Sequence, residues 1–198
     1  SELGKVTRST PMGSLDRPFN PLALALGSGA TFVCRTIDRE TKHMQAIIAR
    51  SYSHKGTAFI EIYQNCNIFN DGAFAPMTDK ESKADEVLWL ENGQPMLFGA
   101  KQNKGIRLDG NKPIVVTIGK KWSVDDLLVH DEGDYVIASL LSNMTHQDDF
   151  PDPIGVLYAI DAPTYEDLMS DQIDKAVKQK GISSVQDLLD AGDTWIVK

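Results

Sequence analysis

The chain has 198 residues, 41% hydrophobic and 24% charged, with a formal net charge of −8. That composition suits one folded domain, or one domain plus an extension, and excludes wholesale disorder. The acidic balance and the lack of any Lys/Arg cluster exclude a nucleic-acid binder, and no apolar run approaches the roughly 20 residues that span a bilayer.

The opening, Ser1 to Ser14, is polar and turn-rich. It has neither the charged nor the apolar region of a signal peptide, and reads as the middle of a longer protein. Asn20-Pro21 starts a helix, since Asn caps and Pro suits the first helical position. The Ala/Leu run Leu22 to Leu26 continues it, and Gly27 and Gly29 end it. Thr31 to Arg35 is a short β-branched and aromatic strand. A second helix, capped by Asp38 or Thr41, runs to about His54. Met44, Ile47, Ile48 and Ser51-Tyr52 mark its apolar face. Thr57 to Tyr63 is the strongest strand in the chain. Helix, strand, helix, strand with short links predicts a right-handed parallel unit of an α/β sheet. Ligands in such sheets bind beyond the carboxyl ends of the strands, which directs attention to Gln64 to Gly72.

From Ala73 to Lys83 the chain reads as loop. Glu86 to Leu90 reads as a short strand followed by an Asn92-Gly93 turn. Pro95 to Ala100 and Lys104 to Leu108 are expected to pair with that strand as a small antiparallel ribbon, and Pro113 to Ile118 is a further strand. Ser123 caps a short helix over Val124 to Leu128, and Asp134 to Asn143 reads as helix, although its Tyr, Val and Ile content also allows a strand. Gln147 to Pro153 is an acidic, Pro-containing loop, and Gly155 to Ile160 is a strand or extended arm. Thr164 to Gln179 is a polar helix, acidic early and basic late as the helix dipole prefers. Ser183 or Ser184 caps a last helix, Val185 to Ala191.

Few residues suggest chemistry. The two cysteines, Cys34 and Cys66, are too few for a disulfide scaffold, so a reducing cytoplasm is expected. Thiolates suit zinc or iron–sulfur sites. With no Cys-x-x-Cys pair, however, the residues alone make Cys66 a plain buried or half-buried cysteine and Cys34 a small core hydrophobe. Neither His43, His54, His130 nor His146 has metal-binding spacing. His43 and His54 read as solvated helix ends, and His130, beside two acids (Asp131 and Glu132) that would raise its pKa, as part of a surface cluster. Asp148, Asp149 and Asp152 read as a solvated acidic loop. There is no phosphate-binding glycine loop, dinucleotide fingerprint or nucleophile elbow. No catalytic residue can be named, and composition and spacing support an α/β domain without a definite activity.

Three strings read together say more. They are Gly4 to Ser14; Pro18 to Ala25 with Gly29 to Val33; and Glu61-Ile62-Tyr63-Gln64-Asn65-Cys66-Asn67-Ile68-Phe69-Asn70-Asp71-Gly72. In order and spacing they resemble beta subunits of 2-oxoacid:ferredoxin oxidoreductases, and the stretches Pro95 to Gly99 and Ala162 to Tyr165 resemble the 2-oxoglutarate type. The resemblance implies an α/β fold: residues 1–75 as the C-terminal portion of a thiamine-diphosphate-binding domain, and residues 76–198 as a mixed α+β extension specific to the subunit. It implies oxidative decarboxylation of a 2-oxoacid with coenzyme A, giving an acyl-CoA and carbon dioxide and passing electrons to ferredoxin. The implied cofactors are thiamine diphosphate, Mg2+ and a 4Fe–4S cluster, with Cys66 as one cluster ligand. The implied partners are an alpha subunit, ferredoxin and the N-terminal part of the same subunit. The family's other cluster cysteines and its Gly-Asp-Gly motif are not in this sequence, so no cofactor-binding residue is assigned here and the chain alone is expected to be inactive. A non-catalytic assembly module derived from the same domain is the alternative.

Overall fold

In the computed structural model, residues 3–68, 70–145, 147, 149–181, 183–193 and 195–197 are described. The chain divides into two compact units, Ser1–Asp161 and Ala162–Lys198.

The first unit opens with a turn-rich segment. Helix α1 (Pro21–Gly27) follows, and the Asn20 side chain caps it by accepting from Ala23 N. The same side chain donates to Ser142 O at 2.8 Å, tying α1 to a later helix. Strand β1 (Phe32–Ile37), helix α2 (Thr41–Ser53) and strand β2 (Ala58–Tyr63) make the expected unit, with β1 and β2 parallel. The residue at the α2 cap is Glu40, without a side-chain cap bond, rather than Asp38 or Thr41. On α2 only Ile47 is buried, and Tyr52 points to solvent.

The next segment departs from the expected loop, because single helical turns form at α3 (Ala75–Thr78) and α4 (Lys83–Glu86). One turn is too short to leave a periodic apolar signature. Strand β3 (Val87–Trp89) leads into β4 (Leu97–Phe98), β5 (Lys104–Asp109) and β6 (Lys112–Thr117). Strands β4, β5 and β6 form their own antiparallel sheet and do not pair with β3, which corrects the ribbon expectation. A 3-10 turn at Val124–Asp126 carries a capping box from Ser123. Helix α5 (Tyr135–Met144) is capped by Asp134, whose carboxylate accepts from Val136 N and Ile137 N.

Strand β7 (Asp152–Ala159) completes the main sheet, in the order β2-β1-β7-β3. It runs antiparallel to β1 and parallel to β3, so the sheet is mainly parallel with one reversed pairing. Every residue of β1 is buried, as expected for a strand covered on both faces. Val33 and Leu157 pack with Leu22 and Leu26 of α1 and Leu141 of α5. Phe32, Cys34 and Val156 face Ile47 of α2. The alternation follows the two-residue period of a strand. At the far end, Ile37, Tyr63, Val87 and Ile154 form a third cluster that includes Phe74 and Met77.

The second unit contains helix α6 (Tyr165–Lys180), capped by Thr164, and helix α7 (Val185–Leu189), with a capping box from Ser184.

Candidate functional site

The loop after β2 is held by one asparagine. Asn65 Oδ1 accepts from Gly72 N at 2.9 Å, and its Nδ2 donates to Asn67 Oδ1 at 2.8 Å and Asp71 Oδ1 at 2.9 Å. Asn70 N donates to Cys66 O at 2.9 Å, closing a tight turn around the cysteine. Lys5 Nζ donates to Asn70 Oδ1, which ties the opening segment to this loop. Cys66 is half-buried within it. The adjoining cleft is lined by Asp38, Arg39, Asn65, Gly72, Phe74 and Asp79. Asp38 follows β1 and Asn65 follows β2, so the cleft lies beyond the carboxyl ends of the two parallel strands, where open α/β sheets place ligand-binding loops.

Beneath the loop lies a charged network that sequence reading misses. Arg35 is fully buried on β1. Its Nε donates to Glu61 Oε2 at 2.6 Å, and its Nη1 lies 3.6 Å from Asp152 Oδ1 and 3.4 Å from Pro153 O. The guanidinium carbon is 4.8 Å from the centre of the Tyr63 ring. Phe74 stacks on that ring with centroids 4.5 Å apart, and Phe74 also borders the cleft. Burial pushes the Tyr63 phenol well above its usual range, so the ring acts here as packing surface. Asp152 is thus buried in β7 rather than solvated in an acidic loop. The available signal was one Arg and one Glu placed singly within apolar runs that the parallel pairing sets side by side. Asp149 is exposed as expected, while Asp148 and His146 lie outside the described residues.

The structure separates the remaining candidates. Cys34 is fully buried, its thiol donates to Phe59 O at 3.6 Å, and burial pushes its pKa up to about 12. It is the inert core residue that the sequence predicts. His43 is half-buried, bonded through Nδ1 to Thr36 Oγ1 at 2.8 Å and set edge-on to Trp89. His54 Nε2 lies 2.8 Å from Thr31 Oγ1. Neither is simply a solvated helix end. His130 corrects the surface-cluster expectation most strongly. It is 1% exposed, and Nε2 lies 2.8 Å from Val156 O. The neighbouring Glu132 turns to Arg50, whose Nη1 donates to Glu132 Oε1 at 2.9 Å.

These histidines give the fold a pH dependence. Burial lowers the pKa of His130, against the opposing pull of the Val156 carbonyl, Glu132 and Asp131. Burial likewise lowers that of His43, with Glu40 opposing and Lys83 adding. A histidine held neutral in the folded state is protonated first in the unfolded chain. Its stabilisation is present above the unfolded pKa of about 6.5 and is lost as pH falls below that value. The urea midpoint should therefore drop between about pH 7.5 and about pH 5.5, a window above the carboxylate titrations. His130→Gln should flatten the drop, and an unchanged slope in that variant would remove His130 from the account.

Among the described residues no group of three or more His, Cys, Asp or Glu side chains could hold a metal ion. The described residues therefore do not by themselves build a site for a metal or a four-thiolate cluster. What they define is an α/β module with a cysteine-bearing loop and a cleft beyond the carboxyl ends of its parallel strands.

No family model matches the chain. Over its whole length it is 38% identical to the 2-oxoglutarate oxidoreductase subunit KorB of Mycobacterium tuberculosis, of which it covers 53%. It is 41% identical over 70 residues, 35% of the chain and 23% of the relative, to a 2-oxoacid:ferredoxin oxidoreductase subunit beta of Saccharolobus solfataricus. The fold resembles a solved 2-oxoglutarate:ferredoxin oxidoreductase chain from Magnetococcus marinus, with a TM-score of 0.61 and 21% identity, covering 96% of this chain and 50% of that one. That structure has 2-oxoglutarate, coenzyme A and succinyl-CoA bound. The chain thus spans about half the length of KorB and of the solved chain. It is a relative of the beta subunits of 2-oxoacid:ferredoxin oxidoreductases.

Proposed function

We propose that this chain is part of the beta subunit of an enzyme that oxidatively decarboxylates 2-oxoglutarate with coenzyme A, yielding an acyl-CoA and carbon dioxide and reducing ferredoxin in a reducing cytoplasm. The carrying observation is the 38% identity to KorB along the entire chain, where the 2-oxoacid:ferredoxin oxidoreductase subunit beta of Saccharolobus solfataricus aligns over 70 residues. In this reading residues 1–75 are the end of the cofactor domain and residues 76–198 a subunit-specific extension.

In this reading Cys66 supplies one thiolate of a 4Fe–4S cluster, and the other thiolates come from the N-terminal part of the subunit, outside this sequence. The half-buried cysteine in a loop braced by Asn65 suits that role, since a ligand must be accessible yet fixed in position. Thiamine diphosphate, when bound with Mg2+ by that N-terminal part, serves as the electron sink for decarboxylation. Strand β2 is the edge of the main sheet, and Phe59, Ile60 and Ile62 along it are only partly covered. An apolar strand edge of this kind needs covering, and the N-terminal part of the subunit is the proposed cover. The alpha subunit and ferredoxin complete the assembly.

The test is an assay of the assembled enzyme. Coenzyme A-dependent ferredoxin reduction should be at least about tenfold more efficient in kcat/KM with 2-oxoglutarate than with pyruvate, a discrimination that polar recognition of the second carboxylate readily supplies. A preference for pyruvate would assign a different substrate, and no turnover of any 2-oxoacid would overturn the enzymatic reading. By titration calorimetry, the isolated chain should show no tight Mg2+-dependent binding of thiamine diphosphate. Tight binding would contradict the placement of the cofactor contacts upstream.

A further inference from the structure

The C-terminal unit displays an apolar face that no described residue of the unit covers. Helix α6 is 16 residues long and none of them is buried. Tyr165, Met169, Ile173 and Val177 recur every four residues, with Ala176 beside them, so they line one side of the helix. Tyr165 is 71% exposed and Ile173 55%. The sequence reads as a polar helix because Asp167, Asp171, Asp174, Lys175 and Lys178 occupy the other side. A lone helix of this length is marginal in water, so the apolar side calls for a partner.

The charges on the apolar side say which partner. At 3.6 residues per turn, Glu166 and Lys180 both fall within about 20° of Ile173 around the helix. They lie at equal distances in sequence on either side of it, in the first and last turns. The face is therefore its own complement when turned end for end. We propose that a second copy of this chain covers it, the two α6 helices packing antiparallel about a two-fold axis at Ile173. That arrangement sets Ile173 against its symmetry mate, Met169 against the partner's Val177, and Glu166 against the partner's Lys180 at each end. A parallel pair would oppose Glu166 to Glu166 and Lys180 to Lys180. The antiparallel pair also opposes the two helix dipoles. A helix of this length spans about 24 Å, less than a full-sized interface needs, so the contact on its own makes a weak dimer.

Site-directed cross-linking in the full chain tests this. In a Cys66→Ser background, Ile173→Cys should form an intermolecular disulfide under mild oxidation. Lys175→Cys, on the opposite side, should do so at least about tenfold less, because its thiols point apart. Added to Ile173→Cys, either Glu166→Lys or Lys180→Glu should lower the yield about fivefold, and the two together should restore it. Equal cross-linking at positions 173 and 175, no cross-linking at 173, or failure of the double reversal to restore the yield would overturn the proposal. So would a co-expressed alpha subunit that shields the Ile173→Cys thiol and abolishes the dimer.

Discussion

Replacing Arg35 with alanine should lower the stability of the first unit by about 3–5 kcal/mol, the range for breaking a buried ion pair. Arg35 is fully buried between Glu61 and Asp152, with its Nε 2.6 Å from Glu61 Oε2. Removing it leaves two largely buried carboxylates beside Tyr63 without this cation. The loss comes from the stranded charges more than from the missing attraction. An apolar replacement of the whole set, Arg35→Met with Glu61→Leu and Asp152→Leu, should therefore recover most of the loss. Urea unfolding followed by tryptophan fluorescence measures both effects. A single variant within about 1 kcal/mol of the parent, the range of an exposed ion pair, would show that the network is not desolvated. Because Tyr63 touches both Arg35 and Phe74, and Phe74 borders the cleft, Arg35→Ala should also loosen the cleft beside the Cys66 loop.

Gly155→Val should be comparably damaging. Gly155 lies in β7 opposite Arg35 and has φ +137°, a conformation that other residues rarely adopt. A Cβ there would stand 2.9 Å from Leu90 Cβ and 3.0 Å from Leu90 O. Leu90 cannot move aside easily, since its N–H donates to Ile154 O at 2.9 Å. Overpacking contributes about 1–3 kcal/mol and the strained backbone about 1–3 kcal/mol, for a total of about 2–6 kcal/mol. Gly119→Ala is the control. A Cβ at Gly119 meets nothing within 4 Å, so the change should stay within about 0.5 kcal/mol. If Gly155→Val were equally mild, the close approach of β7 to the segment after β3 would be wrong.

Both predictions rest on β7, the element least visible in the sequence. Helix α1 was legible because Asn20-Pro21 states its start locally. Strands β1 and β2 were legible because Phe32-Val33 and Phe59 to Tyr63 are β-formers bounded by breakers. The position of the Cys66 loop followed from those two strands. Nothing local says that Asp152 and Pro153 enter a central strand, since Asp and Pro disfavour strands. Their placement depends on β1 and β3 on either side and, for Asp152, on Arg35, which is more than a hundred residues away in sequence. His130 misled for the same reason. Its neighbours Asp131 and Glu132 suggest a surface, but its ring is buried and held at the Val156 carbonyl of β7. The antiparallel insertion of β7 is a long-range decision of the fold, and local pattern cannot report it.

The most direct measurement is the iron content of the assembled enzyme carrying Cys66→Ser, with Cys34→Ala alongside. If Cys66 holds the proposed cluster, about four irons per beta subunit are expected in the parent and in the Cys34 variant. The Cys66 variant should lose the cluster's absorbance and its electron-spin resonance signal. Full retention of iron and of the unchanged signal with Cys66→Ser would contradict the assignment of this loop as part of the electron-transfer site.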